Sequence, residues 1–129
     1  MVKFSTDCLV KMRNLVASLV DVLGEDTANL AMRVGLHSGP VTGGVLRGER
    51  ARFQLFGDTV NTASRMESNG TSGMIHVSQS TAEELKKLGR SSWLVARDRK
   101  LPVKGKGDMQ TYFVQTSTMT ASVSQMSGI

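Results

Sequence analysis

The first part of the chain carries a helical pattern of apolar residues. A main stripe, with intervals of three and four, is formed by Phe4, Cys8, Met12, Leu15, Leu19 and Leu23. A second row beside it widens the stripe and consists of Leu9, Val16 and Val20. This spacing predicts an amphipathic helix that packs on a sheet. We expect the helix to run from about Ser5 to Leu23 and to end at Gly24.

Further along, apolar positions alternate as they do in strands. In LAMRVGLHSG, the residues Met32, Val34 and Leu36 alternate, and the glycines between them indicate a close approach by another backbone. The segment PVTGGVLRGERARFQLFG predicts a short segment and a basic turn that returns as a strand, and MIHVSQ predicts another strand. The region 91–115 predicts an antiparallel pair around a Lys-Gly turn, followed by a last strand over 110–114.

Two further helices are predicted from their start signals. Asp58 is a candidate N-cap for a helix from Thr59 to about Glu67. Ser80 and Glu83 have the spacing of a capping box at the start of a third helix. The order helix, strand, strand, helix, strand, helix, strands predicts an α+β fold with helices over a largely antiparallel sheet. Because few strands are available to cover the first helix, we expect the domain to have further strands before this chain.

Composition narrows the class of protein. The chain has 129 residues, which suits one domain, and a net charge of +5, which favours contact with phosphate. Aromatic residues make up only 5%, too few for a typical base-stacking surface, and the single Cys8 excludes an internal disulfide. The apolar runs are too short to cross a bilayer and no secretory signal is visible, so we expect a cytoplasmic segment without membrane contact. Residues 116–129 lack periodicity and are expected to form a disordered tail.

The stretch FQLFGDTVNTASRMES contains the strongest candidate chemistry. Asn61 and Arg65 stand four residues apart, so they project from one face of the predicted helix, among small neighbours. A guanidinium offers a fork of donors suited to phosphate oxygens, and an amide can orient a hydroxyl or sugar. From the spacing alone, a solvated surface Asn and Arg remain the alternative.

A second candidate is the glycine-rich turn VKGKG. Lys104 and Lys106 alternate with glycines there and could present an ammonium to a phosphate, although a hairpin turn with solvated lysines has the same pattern. His37 and His76 stand alone and are interpreted as structural, hydrogen-bonded histidines. The carboxylates are scattered over a helix end, a loop and a cap, so no metal site is predicted within the chain.

Four motifs together resemble one known family. The stretches MRVGLHSGPVTGGV, FQLFGDTVNTASRMES, IHVSQST and LPVKGKGDMQTYFV resemble the catalytic domain of class III nucleotidyl cyclases, the adenylyl and guanylyl cyclases. The resemblance extends from the first helix to about Val114 and implies a ferredoxin-like βαββαβ core whose N-terminal strands are missing from this chain. Residues 1–115 would then be the C-terminal portion of a cyclase catalytic domain.

The resemblance implies roles for individual residues. Asn61 would orient the ribose, and Arg65 would stabilise charge on the α-phosphate as the 3′-hydroxyl attacks it. Lys104 matches the lysine that holds the terminal phosphates. Gln54 matches a position that helps to select the base, and Leu55 would offer backbone groups to that base. Guanylyl cyclases often have Cys at the first of these two positions and adenylyl cyclases often have Asp or Thr, so the choice of purine stays open.

The resemblance also implies substrates, partners and cofactors. ATP or GTP would be converted to the 3′,5′-cyclic nucleotide and pyrophosphate, for intracellular signalling, between this domain and a second cyclase domain in a homodimer or heterodimer. The Mg²⁺ or Mn²⁺ ligands of the family lie in its N-terminal portion, so we expect the isolated chain to be inactive. One alternative is a non-catalytic cyclase-homology module that dimerises. A basic nucleic-acid binder is another alternative, but the strand aromatics are too scattered to favour it.

Overall fold

The computed structural model describes residues 1–48 and 50–116, so the predicted tail lies, apart from Thr116, outside the described residues. The helices and strands, in chain order, are α1 (Val2–Leu23), β1 (Val34–Leu36), β2 (Thr42–Leu46), β3 (Arg52–Phe56), α2 (Asp58–Ser68), β4 (Ile75–Ser78), α3 (Gln79–Lys87), β5 (Leu94–Ala96), β6 (Leu101–Val103), β7 (Gly107–Met109) and β8 (Thr111–Val114). Short 3₁₀ helices precede β1 and β5. The predicted order of helices and strands is confirmed except that three strands, not two, lie between α1 and α2.

The strands form one four-stranded sheet and two hairpins. The sheet has the order β1-β4-β8-β5, in which β1 runs parallel to β4 and the other two pairings are antiparallel. The hairpins β2–β3 and β6–β7 are separate two-stranded antiparallel sheets. The predicted antiparallel pair around the Lys-Gly turn is therefore confirmed, and so is the returning strand after the basic turn.

The core lies where α1 and α3 cover the four-stranded sheet. Strand β4 is buried along its whole length, as expected for an inner strand covered by helices. The buried apolar side chains of this cluster are Val2, Leu9, Ile75, Val77, Ala82, Leu85 and Val114.

Helix α1 differs from its prediction in where it begins and in which face it buries. It begins at Val2, earlier than predicted, and its buried apolar residues are Val2, Leu9 and Val16. Phe4 and Leu15, from the predicted main stripe, are more than half exposed. The apolar stripe is wider than the face that meets the sheet, and periodicity alone does not say which side of a wide stripe will be covered.

Helix α2 lies directly against β1. A Cβ atom on Gly35 would come within 2.6 Å of Glu67 Cα and of the Met66 carbonyl carbon, and would approach Glu67 N even more closely. The two backbones therefore meet at a position that only glycine can occupy, and the predicted close approach in this strand is confirmed.

The predicted N-cap of α2 is wrong. The cap residue is Gly57, which has φ 121° and provides no side-chain hydrogen bond, and Asp58 is the first residue of the helix. The carboxylate of Asp58 instead forms an ion pair with Lys106, its Oδ2 atom lying 2.7 Å from Nζ. The ammonium of Lys106, in the β6–β7 hairpin, is the partner of this carboxylate in place of the backbone N–H groups of α2.

The predicted capping box of α3 is wrong as well. Helix α3 begins at Gln79 and has Ser78 as its cap residue, without a side-chain cap. Ser80 lies inside the helix, where its hydroxyl donates to the carbonyl oxygen of Ser38 at 3.0 Å. Glu83 accepts from Gln79 Nε2 at 3.4 Å. The segment that follows β1 supplies an acceptor for the serine, so the local pairing assumed from sequence does not form.

Candidate functional site

Helix α2 presents two of the predicted site residues on its outer side. Thr62 and Met66 are fully buried against the sheet, Asn61 is exposed, and Arg65 is half-buried. This arrangement follows from the helical repeat. Residues four apart share a face of the helix, so Thr62 and Met66 lie on one face and Asn61 and Arg65 lie on the adjoining one. Within residues 1–48 and 50–116, no side-chain hydrogen bond holds Asn61, so its amide is accessible at the surface.

The structure brings Arg65 and Lys104 together. Nη1 of Arg65 donates a hydrogen bond to the backbone carbonyl oxygen of Lys104 at 3.1 Å. Lys104 lies in the turn between β6 and β7. Gly105 in this turn (φ 81°) and Gly107 at the start of β7 (φ 70°) adopt left-handed conformations that favour glycine. The side chain of Lys104 is exposed, and among the described residues no ion pair includes its ammonium.

Lys106 completes this cluster of charges. Its ammonium pairs with Asp58 at the start of α2, while Arg65 lies two turns further along the same helix. The hydrogen bond and the positive charge of Lys106 lower the pKa of the Asp58 carboxyl, which stays ionised at neutral pH. Sequence reasoning noticed both residues but missed their pairing, because no local pattern relates the start of a helix to a distant turn.

Gln54 and Leu55 lie on β3 and make no described hydrogen bond with Asn61, Arg65 or Lys104. Gln54 is the cross-strand partner of Gly44 in β2, and Leu55 is that of Gly43. Adjacent strand residues point to opposite faces, so these two side chains diverge. The other edge of β3 pairs with no strand in the part of the chain that the structure describes, which leaves backbone groups accessible there. Strand β3 connects through Gly57 to α2, so it leads directly into the cluster.

Both histidines are hydrogen-bonded within the fold, as predicted. His37 Nδ1 lies 2.6 Å from the Ser78 hydroxyl oxygen, and burial, followed by the charge of Lys106, lowers the pKa of this histidine. His76 is completely buried, and its Nδ1–H donates to the carbonyl oxygen of Met66 at 2.8 Å. Its Nε2 lies 2.8 Å from the hydroxyl oxygen of Thr111.

The second half of α2 is fixed by two of these polar contacts. His76 holds the carbonyl of Met66, next to Arg65, and Arg97 Nη1 donates to the carbonyl oxygen of Asn69 at 2.8 Å. Burial lowers the pKa of His76, the hydrogen bond to Met66 opposes this effect, and the charge of Arg97 adds to it. The helix that carries the candidate residues is therefore tied to the sheet by specific hydrogen bonds.

The described residues do not fit a divalent metal site. They contain no group of three or more His, Cys, Asp or Glu side chains that could hold an ion. Mg²⁺ and Mn²⁺ favour several oxygen ligands, and Asp58, the carboxylate beside Arg65 and Lys106, is already paired with the lysine. A cation of this kind would need ligands from outside the described part of this chain.

Comparisons with known proteins agree on one family. The family model described as "Adenylate and Guanylate cyclase catalytic domain" matches residues 3–116. Guanylate cyclase 32E of Drosophila melanogaster is 40% identical over 110 residues, which are 81% of this chain and 9% of that protein. Human atrial natriuretic peptide receptor 2 is 49% identical over 85 residues, 66% of this chain and 8% of that protein. The chain thus spans less than a tenth of the length of either relative.

A solved structure extends the agreement to the fold. The guanylate cyclase domain from Catenaria anguillulae, solved in complex with GTP, is 40% identical and superposes with a TM-score of 0.64. The match covers 89% of this chain and 57% of that chain. The described helices include none that is long and apolar enough to span a membrane.

Proposed function

This chain belongs to the family of adenylate and guanylate cyclase catalytic domains, and we propose that it supplies transition-state and triphosphate contacts to a purine nucleotide cyclase. The fold is the ferredoxin-like cyclase fold shared with the solved domain. The observation that carries the proposal is the contact between Arg65 and the turn of Lys104. Two residues that separately suit phosphate are thereby in contact, one on a helix and one on a glycine-rich turn.

The reaction requires charge to be stabilised at two places. The 3′-hydroxyl oxygen forms a bond to the α-phosphorus, the bond from that phosphorus to the bridging oxygen breaks, pyrophosphate leaves, and the hydroxyl proton passes to water. Arg65 would donate to the α-phosphate oxygens as their charge grows, while the exposed Lys104 would bind the terminal phosphates that leave. Preorganised donors of this kind are usually the largest single contribution to such a reaction.

Asn61 and Gln54 would orient the nucleoside. Asn61 lies one helical turn before Arg65 on the same side of α2, and its free amide suits a ribose oxygen. Gln54 would read the purine edge and the exposed β3 edge at Leu55 would offer backbone groups. We propose GTP as the first substrate to test, because one matched relative is named a guanylate cyclase and the solved guanylate cyclase domain is in complex with GTP. ATP is the second.

A second domain would complete the site. On the β2–β3 hairpin, Val45 and Phe53 are cross-strand partners and Leu55 lies two residues further along, so all three share one face. This face is apolar and open, with Phe53 70% exposed. An exposed apolar patch on a small domain is typical of a contact surface, and we propose that it packs against another cyclase domain. Domains of this family work with a divalent metal, whose ligands the partner chain or another segment would supply.

The test is cyclase activity of the full-length protein that carries this chain, with Mn²⁺ and with GTP and ATP supplied separately. We expect cyclic nucleotide from one of them, and a roughly 10²- to 10³-fold lower kcat in Arg65→Ala, the usual loss for one preorganised transition-state donor. Arg99, an exposed arginine in the β5–β6 loop, provides the matched control, and Arg99→Ala should keep wild-type turnover. A well-folded dimer without activity would instead support the non-catalytic signalling module.

A further inference from the structure

The turn that carries Lys104 touches α2 at two points. At the first point, Lys106 Nζ lies 2.7 Å from Asp58 Oδ2, within the first turn of the helix. At the second point, Arg65 donates to the carbonyl oxygen of Lys104 at 3.1 Å, two helical turns later. The backbone of the turn is itself closed by a hydrogen bond from Lys106 N to the carbonyl oxygen of Val103 at 2.9 Å.

The two lysines of the turn are not equivalent. The Lys106 ammonium is engaged with a carboxylate and its side chain is only 34% exposed, whereas the Lys104 side chain is exposed and enters no ion pair among the described residues. An ammonium that neutralises a neighbouring carboxylate attracts a triphosphate less than a free one does, because its charge is already compensated. Lys104 is therefore the better candidate for direct phosphate contact, and Lys106 for structure.

We propose that Asp58 is a positioning residue: its ion pair with Lys106 fixes the β6–β7 turn along α2, so that the Lys104 ammonium and the Arg65 guanidinium face the same triphosphate. This inference rests on the proposed function. Asp58 does not touch the nucleotide itself; a bare carboxylate near a triphosphate would repel it, and pairing with Lys106 removes this repulsion. The ion pair thus aligns the turn and neutralises the carboxylate that forms it.

The experiment measures pyrophosphate inhibition of the full-length protein, with Mn²⁺ and the nucleotide that the wild type cyclises. Asp58→Asn should raise the inhibition constant of pyrophosphate and the KM for the nucleotide about 2- to 5-fold, the range expected for losing one exposed ion pair. The inhibition constant of the cyclic nucleotide product, which lacks terminal phosphates, should stay unchanged, and kcat should change less than KM. Asp58→Glu, which keeps the charge, should restore most of the pyrophosphate affinity.

A double-mutant cycle distinguishes positioning from direct contact. If Lys106 acts through Asp58, then Lys106→Gln weakens binding at least as much as Asp58→Asn, because it also leaves the Asp58 carboxylate unpaired, and the double variant is no worse than Asp58→Asn alone. If Lys106 itself binds phosphate, Asp58→Asn releases it, so pyrophosphate binds as tightly as in the wild type or more tightly, and the inference is overturned. Glu84→Gln is the matched control, because it removes the exposed ion pair with Lys87 on α3, which is 3.0 Å long, and should leave all these constants unchanged.

Failure of the inference and failure of the proposed function give different results. A wild-type protein that makes no cyclic nucleotide from GTP or ATP overturns the proposed function and this inference with it. An active wild type whose pyrophosphate inhibition is unaffected by Asp58→Asn overturns only the positioning role. Because Asp58 is an exposed residue at a helix start, its variants should fold, and their thermal unfolding temperatures verify this.

Discussion

Substitution of Gly35 by Ala tests whether the position of α2 on the sheet determines the geometry of the site. The new Cβ would lie 2.6 Å from Glu67 Cα and from the Met66 carbonyl carbon, whereas ordinary contact begins at 3.4 Å. The difference, 3.4 minus 2.6, shows that the two backbones must separate by about 0.8 Å or more. The atoms in the way belong to the backbone of α2, so no side-chain rotation can relieve the clash.

This separation should lower both stability and turnover. Inserting a methyl group into a tightly packed interface typically costs about 1–3 kcal/mol of unfolding free energy. For a domain of this size, each kcal/mol lowers the melting temperature by roughly 4 °C. Arg65 is adjacent to Met66, so it moves with the displaced segment. A misplacement of about 1 Å can reduce turnover on the order of 10²-fold.

The assays are thermal unfolding and cyclase activity of the full-length protein, with Gly44→Ala as the matched control. Gly44 is also a strand glycine, but the nearest atom to its added Cβ would be a Phe56 ring carbon at 3.9 Å, an ordinary contact. Both substitutions restrict the unfolded chain equally, so the difference between the two variants isolates the clash. Equal melting temperatures for Gly35→Ala and Gly44→Ala would refute the reasoning.

Two further predictions concern stability. Replacing buried His76 by Asn should cost about 1–3 kcal/mol at pH 7, because its hydrogen-bond partners are left unpaired. The pKa of His76 is lowered in the folded state, so below about pH 6.5 the unfolded chain binds more protons than the folded one. The stability of the wild type therefore decreases as the pH is lowered through that range. Urea unfolding at pH 7 and pH 5 should therefore show a smaller loss in the variant than in the wild type; an equal loss would contradict this account. Glu83→Ala should cost about 0.5 kcal/mol or less in the same assay, because Glu83 does not cap α3. A decrease of about 1 kcal/mol in unfolding free energy would instead support the capping box predicted from the sequence.

The sequence predicted those parts of the fold that depend on short-range patterns. The glycine-rich turn after β6 and the strand β1 each depend on a few neighbouring residues, and both predictions are confirmed. The close approach at Gly35 was also predictable, because a glycine inside a strand often marks a place where another backbone comes near. The buried face of α1 was not, because Leu9 and Leu15 are equally apolar and only the position of the sheet distinguishes them.

The sequence offered candidate site residues one by one, but it did not predict how they are arranged. The pattern and the resemblance pointed to Arg65 and Lys104 separately, and the roles proposed for them remain predictions. Their contact, and the pairing of Asp58 with Lys106, join segments that are far apart in the chain and depend on how the hairpin docks on α2. Asp58 shows this limit. The local pattern predicted that its carboxylate caps α2, but in the structure the carboxylate pairs with the ammonium of Lys106, which is distant in sequence.

The contact between Arg65 and the turn also determines how the two residues can be told apart. The acceptor is the backbone carbonyl of Lys104, so replacing the Lys104 side chain removes the ammonium without removing the hydrogen bond. Replacing Arg65 removes the guanidinium and also one of the two contacts that hold the turn on α2. A guanidinium has five N–H donors, and the contact to this carbonyl uses one nitrogen, so the remaining donors can still reach a phosphate. Arg65 can therefore hold the turn and contact a phosphate at the same time. We expect replacement of Arg65 to lower cyclase turnover more than replacement of Lys104 does.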